Sequence, residues 1–138
     1  MGAAVSLRRR LDWADTDAAG FWHHSTFWTY AEAGEAELMR SLGLTELTFG
    51  GTPRRSVAAE FLRPIFFDDE VTITFEVATV GRTSATYRID LSVAAGPAAT
   101  GTMTVVLVDD AGRPRPWPDE VRARLLRGGT GHPVPGPN

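Results

Sequence analysis

Residues 25–43 read Ser25-Thr-Phe-Trp-Thr-Tyr-Ala-Glu-Ala-Gly-Glu-Ala-Glu-Leu-Met-Arg-Ser-Leu-Gly43. Phe27, Tyr30, Ala31, Gly34, Leu38 and Leu42 recur at spacings of three and four, which marks one face of a helix. Ser25 or Thr26 can serve as N-cap, and Gly43 is a natural stop just past the end. Gly34 is the odd member of the buried face, because a mid-helix Gly costs about 1 kcal/mol relative to Ala. It is either a tolerated defect or a point of close approach by another backbone or a ligand. No other stretch carries so long a helical period.

On the C-terminal side, residues 44–55 form a Gly/Thr/Pro/Arg connection, and beyond them the period changes to two. Ser56–Leu62 reads as a strand stopped by Pro64. Val71, Ile73, Phe75 and Val77 alternate with Thr72, Thr74, Glu76 and Ala78, a second strand. Gly81-Arg82 predicts a two-residue hairpin loop of type II′. Ala85, Tyr87, Ile89, Leu91 and Val93 then alternate with polar neighbours. Gly96-Pro97 predicts a turn, and Thr100–Val108 a further strand. Asp119–Arg127 reads as a short helix, opened by acids and closed by arginines as the helix dipole favours. On the N-terminal side, residues 5–12 predict a first strand in which Leu7 and Leu11 share a face. Residues 13–25 predict an irregular loop with turns.

The order is strand, loop, long helix, then four strands, an α+β arrangement with one helix against a largely antiparallel sheet. One helix covers one face only, so the edges or the other face are left wet or covered by another copy, and self-association is expected. Residues 1–127 are expected as one domain, and the Gly/Pro-rich residues 128–138 as a disordered tail. No internal repeat is present.

Composition narrows the function classes. A chain of 138 residues, 43% hydrophobic and 22% charged, is ordinary for one globular domain. It has no Cys, which excludes disulfides, thiolate zinc sites and a cysteine nucleophile. All 14 cations are Arg, and the net charge of −3 gives no reason to expect nucleic acid. No run approaches the roughly 20 apolar residues of a membrane span. Residues 1–10 place their charges after a short apolar stretch, the wrong order for a secretory signal. Gly2 with Ser6 fits a myristoylation pattern too loose to use. A cytoplasmic protein is the expectation, with no membrane partner.

Charged and aromatic residues concentrate in Asp12-Trp-Ala-Asp15-Thr-Asp17-Ala-Ala-Gly20-Phe-Trp-His23-His24-Ser25, which ends where the long helix begins. Helix N-termini present free N–H groups and the positive end of the dipole, a place that stabilises an oxyanion. A carboxylate held there could act as nucleophile or general base. By itself an Asp near a helix start is more often a cap or turn residue.

Asp15-Thr-Asp17-Ala-Ala-Gly20-Phe-Trp-His-His24-Ser-Thr-Phe27 resembles the opening motif of the 4-hydroxybenzoyl-CoA thioesterase family, whose relatives include the Tol–Pal-associated acyl-CoA thioesterases. The resemblance continues through Tyr30–Leu44, Phe61–Pro64, Asp69–Val71, Val80–Ser84, Ala99–Val105 and Gly112–Pro116, covering about residues 5–127. It implies a hot-dog fold, a curled antiparallel sheet wrapped around a central helix. It implies hydrolysis of acyl-CoA or acyl-carrier-protein thioesters without a cofactor. Asp17 is then the catalytic carboxylate and His24 the residue whose N–H polarises the carbonyl. Gly81, Arg82, Thr83 and Ser84 are then the turn that contacts the CoA arm. The site is expected at a dimer interface, commonly within a homotetramer.

The chain departs from the family where Gly34-Glu35 replaces a frequent Ala-Arg, putting an acid beside the acyl pocket. Phe21-Trp22 and Trp28 are bulky, and Trp22 either shapes the acyl site or fills core. Arg54, Arg55 and Arg82 could bind CoA phosphates or form a solvated surface. Asp15 is expected to order the loop through its carboxylate, and His23 to be structural. Asp15, Asp17, His23 and His24 are not expected to hold a metal, since neighbouring His side chains at a helix start diverge by about 100°. Three alternatives stay open: a dehydratase or hydratase of the same fold, a carrier-protein-releasing thioesterase of a biosynthetic pathway, and an acyl-thioester-binding protein without turnover.

Overall fold

The computed structural model describes residues 2–136; Met1 and the last two residues of the expected tail lie outside it. The elements follow in the order β1 (Ala4–Arg10), a 3-10 turn (Trp13–Asp15), α1 (Thr26–Leu42), α2 (Thr45–Thr48), β2 (Arg54–Phe61), β3 (Glu70–Val80), β4 (Ser84–Val93), β5 (Gly96–Val106) and α3 (Asp119–Arg127). The five strands form one sheet in the order β1-β3-β4-β5-β2, and every neighbouring pair is antiparallel.

The alternation in the sequence becomes the two faces of this sheet. Val71, Ile73, Phe75 and Val77 on β3, and Ala85, Tyr87, Ile89 and Leu91 on β4, are buried. They pack with Phe27, Tyr30, Ala31, Leu38 and Leu42 of α1 in one core. The opposite face is polar. There Thr86 and Thr104 hydroxyls pair at 2.8 Å, and Arg88 meets Asp90 at 2.9 Å. Irregular pairing at Arg54/Ser56, Val77/Thr79 and Leu91/Ser92 interrupts the ladders. Such irregularities bend and twist strands, which curls a sheet around a helix.

Gly34 is explained by close approach. A Cβ built there would lie 2.7 Å from Cβ of Phe75, so the missing side chain lets α1 settle onto β3. Gly43 ends α1 in the left-handed region at φ 72°, and its N–H returns to the Arg40 carbonyl at 3.2 Å.

Several local expectations are corrected. The β3–β4 connection is Gly81–Thr83, three residues long, and Gly81 does not adopt positive φ. An added Cβ would lie 2.7 Å from the Ser84 Oγ, which a rotation of that side chain relieves, and 3.6 Å from its carbonyl. The turn before β5 falls at Ala94-Ala95, and Gly96-Pro97 already pairs with Val93 and Ser92. Ser25 makes no side-chain capping bond. The connection 44–55 contains the short helix α2. Residues 128–136 carry no helix or strand and are mostly exposed. Val134 N–H donates to the Gly43 carbonyl at 3.0 Å, and Gly131 lies against the buried Arg124. Among the described residues no helix is long and apolar enough to cross a membrane.

Candidate active site

The loop between β1 and α1 is closed by its own backbone. Thr16 and Trp22 form an antiparallel bridge, and Asp17 N–H donates to the Phe21 carbonyl at 3.0 Å. Gly20 N–H returns to the Asp17 carbonyl at 3.0 Å. The loop is anchored to the neck before β3 by Trp22 N–H to the Ile65 carbonyl at 2.8 Å. Asp17 therefore sits exposed in the tight turn of the loop that leads into α1, nine residues before Thr26. Its Oδ1 accepts the Ala19 N–H at 2.8 Å, and Oδ2 has no protein donor among the described residues.

Asp15 orders the loop through its carbonyl, which accepts His23 N–H at 2.7 Å, and not, as expected, through its carboxylate; the Asp17 carboxylate also bonds backbone. An offset of two residues in a turn decides this, and sequence spacing carries no signal for it.

His24 is exposed one residue before the Ser25 cap of α1, and its carbonyl accepts the Phe27 N–H at 3.2 Å. Among the described residues no acceptor takes the His24 N–H. It stands open at the positive end of the helix. His23 is held by Ser25: its Nδ1 accepts the Ser25 N–H at 3.1 Å and lies 2.7 Å from the Ser25 hydroxyl. A nitrogen that accepts an N–H carries no proton, so the neutral ring is protonated at Nε2. Both histidines precede the helical residues, so the helical angle between neighbours does not apply. Their rings stack instead, 4.3 Å apart and tilted by 32°. Among the described residues no group of three or more His, Cys, Asp or Glu could hold a metal ion.

Trp22 is a core side chain, only 5% exposed, with its ring edge-on to Phe61 at 5.5 Å. The Gly81–Ser84 turn is pinned from outside. Trp117 Nε1 donates to the Ser84 carbonyl at 2.9 Å, and Arg122 donates to the Gly81 carbonyl at 2.6 Å. Trp117 lies in a Pro-rich stretch that the sequence presents as a connection. Arg55 and Arg82 are exposed and form no ion pair among the described residues. Arg54 is not a free cation: it makes a two-pronged pair with Glu35 of α1, at 2.6 and 2.9 Å.

These residues form two groups at opposite ends of the sheet. The Asp17 loop, His24 and Trp22 lie with Phe61 and the start of β3. Gly81, Arg82, Thr83 and Ser84 lie beyond the end of β3, 11 residues away along the strand, which spans more than roughly 30 Å. Arg54 pairs with Val105, which pairs with Ala85, so Arg54 and Arg55 belong to the second end. Beside Arg54 a groove of about 680 Å³ opens between α1, α2 and the start of β2. Met39, Phe49 and Val108 are among its walls. Its one signal in the sequence is Phe49, an aromatic residue standing before Gly50-Gly51 in a connection rich in Gly and Thr.

A curled antiparallel sheet of five strands around one long helix is the hot-dog architecture. Residues 11–125 match the thioesterase-like superfamily, and the chain belongs to it. A thioesterase from Thermus thermophilus, solved with coenzyme A and zinc, is 25% identical. The match covers 87% of this chain and 95% of that one, with a TM-score of 0.80. A 1,4-dihydroxy-2-naphthoyl-CoA thioesterase from Synechocystis is 18% identical over 89% of this chain and 96% of that one. Its TM-score is 0.79, and at that identity it supports the fold. A protein of Aquifex aeolicus, provisionally named an esterase, is 29% identical over 84 residues. Those residues are 58% of this chain and 66% of that protein, just under two thirds of its length.

Proposed function

We propose that this protein hydrolyses acyl thioesters of coenzyme A, with Asp17 as the catalytic carboxylate and the N-terminus of α1 as the oxyanion site. The observation that supports the reading is an exposed Asp17 with one oxygen free in the loop that leads into α1, together with a His24 N–H that no group among the described residues accepts at the start of that helix. The thioester carbonyl oxygen would accept the His24 N–H, which with the helix dipole stabilises charge as it develops. Asp17 then has two routes. It attacks the acyl carbon, the C–S bond breaks, CoA leaves as thiolate, and water opens the mixed anhydride. Alternatively it takes a proton from water as that water attacks the same carbon. A thiolate leaves well, so neither route requires a strong general acid.

The division of residues between the two ends favours a homodimer. β2 is an exposed edge of the sheet, and Val57, Phe61 and Leu62 on or beside it are exposed apolar side chains. Antiparallel pairing of β2 with a second copy sets the Arg54 end of one strand against the Phe61 end of the other. The Asp17 loop of one protomer then meets the Gly81–Ser84 turn, Arg55, Arg82 and groove of its partner. Such pairing also removes an unpaired strand edge.

Thiol release from short, long and aromatic acyl-CoAs, followed with a thiol-reactive dye, tests the reading. Turnover in wild type that drops about a thousandfold or more in Asp17→Asn supports it. No turnover on the whole panel, or turnover that survives the substitution, overturns it. Silence on acyl-CoAs with turnover of carrier-protein thioesters that Asp17→Asn abolishes would overturn coenzyme A as the carrier and keep the carboxylate.

A further inference from the structure

We propose that the Glu35–Arg54 pair makes the groove beside α1 a charge filter, admitting uncharged acyl groups and rejecting those that end in a carboxylate. The inference rests on the thioester reading above, since it takes the acyl group as the occupant.

The groove has the size of a small-molecule site, at about 680 Å³. Its apolar walls include Ala36, Met39, Phe49 and Val108, and Phe49 is 86% exposed among the described residues. Its charged groups are Glu32, Glu35 and Arg54. Glu35 is only 13% exposed on its side chain, and each of its oxygens is held by a different terminal nitrogen of Arg54. Pairing of this fork-to-fork kind is geometrically specific. It uses one N–H of each terminal nitrogen and balances the charge of Arg54, which among the described residues is the guanidinium that lines the groove. Glu32 is exposed and adds a second carboxylate, so two negative groups face one neutralised cation, a balance of 1 − 2 = −1. An incoming carboxylate would meet an Arg54 whose charge Glu35 already balances while lying beside both Glu35 and Glu32, and like charges brought together at an interface are costly. An alkyl or aromatic group meets Met39, Phe49 and Val108 and disturbs no pair.

Two thioether analogues test this without depending on turnover, because a thioether cannot be hydrolysed: S-hexyl-CoA and S-(5-carboxypentyl)-CoA. Their chains have equal length and differ at the tip. Dissociation constants are measured by calorimetry on wild type, Glu35→Gln, Arg54→Gln and Glu32→Gln. Wild type is expected to bind the hexyl compound about 30-fold more tightly. Glu35→Gln releases Arg54 and narrows that gap by about tenfold, through tighter binding of the carboxylate compound. Arg54→Gln widens it by removing the countercharge. Glu32→Gln, which touches no ion pair, narrows it by about threefold and keeps the test decisive should either partner's loss unfold the chain. Equal affinities in wild type, one unchanged gap across all four proteins, or no binding of either compound overturns the proposal. If the thiol-release assay fails while these gaps appear and shift, hydrolysis falls and the filter stands.

Discussion

Tyr30 lies on the buried face of α1, and its hydroxyl has no protein partner among the described residues. Burial first, then the nearby Asp15 and Asp12, push the phenol from its ordinary value of 10.0 up to about 12. The folded chain thus keeps a proton over a range in which the unfolded chain loses it. Stability is fully present below pH 10 and declines as pH climbs towards about 12. Tyr30→Phe is expected to flatten that alkaline decline in denaturation curves; an unchanged slope would place the loss elsewhere. At neutral pH the variant should be as stable as wild type or gain about 1 kcal/mol, because an unpaired buried hydroxyl is gone. Asp17→Asn is the complementary case. The amide oxygen still accepts the Ala19 N–H, so its stability should shift by less than about 0.5 kcal/mol while thiol release collapses. A comparable loss of stability would mean that Asp17 serves the turn first. Single residues are also the hardest scale to read from sequence. The Glu35–Arg54 pair joins positions 19 apart on a helix and a strand, and no spacing rule links them. Nor does the sequence around Trp22 distinguish a residue that lines a site from one that fills core.

The elements are the most legible part, for physical reasons that also mark where legibility ends. α1 runs to Leu42 because Gly43 supplies the left-handed residue that closes it. The buried faces of β3 and β4 follow a period of two that no helix could satisfy. The helix α2 has four residues, little more than one turn, too few for any period to emerge. The connection after β3 departs from its expected form because Gly81 does not take the positive φ that a two-residue type II′ loop requires, and the turn takes three residues. Gly34→Ala gains about 1 kcal/mol of helix propensity, yet its Cβ would fall 2.7 Å from that of Phe75. Overpacking of this kind costs about 1–3 kcal/mol, so the expected net effect is destabilising, read as a lower urea midpoint. A raised midpoint would show that α1 and β3 can part without cost.

At the scale of the whole molecule, the exposed β2 edge and the apolar residues along it carry the expectation of a homodimer. Val57→Asp places a charge near the centre of β2, where two strands related by a twofold axis would bring two such charges together. The mass in light scattering should fall to that of one chain, and thiol release should fall with it. A dimer that persists would move the interface to another surface. A sheet with its polar face open and edge strands at both ends makes association predictable from the element order, but the surface responsible becomes visible only with the strand order. The separation of the Asp17 loop from the Gly81–Ser84 turn by the length of β3 has a consequence in genetics. On the proposed dimer, a chain crippled at Asp17 and a chain crippled at the distant turn each lack a different half of every site. When the two assort at random, about half the dimers are mixed, and each mixed dimer holds one intact site beside one doubly damaged site. Two null alleles carried together should therefore restore about a quarter of the wild-type activity, a rescue impossible if one chain built its site alone.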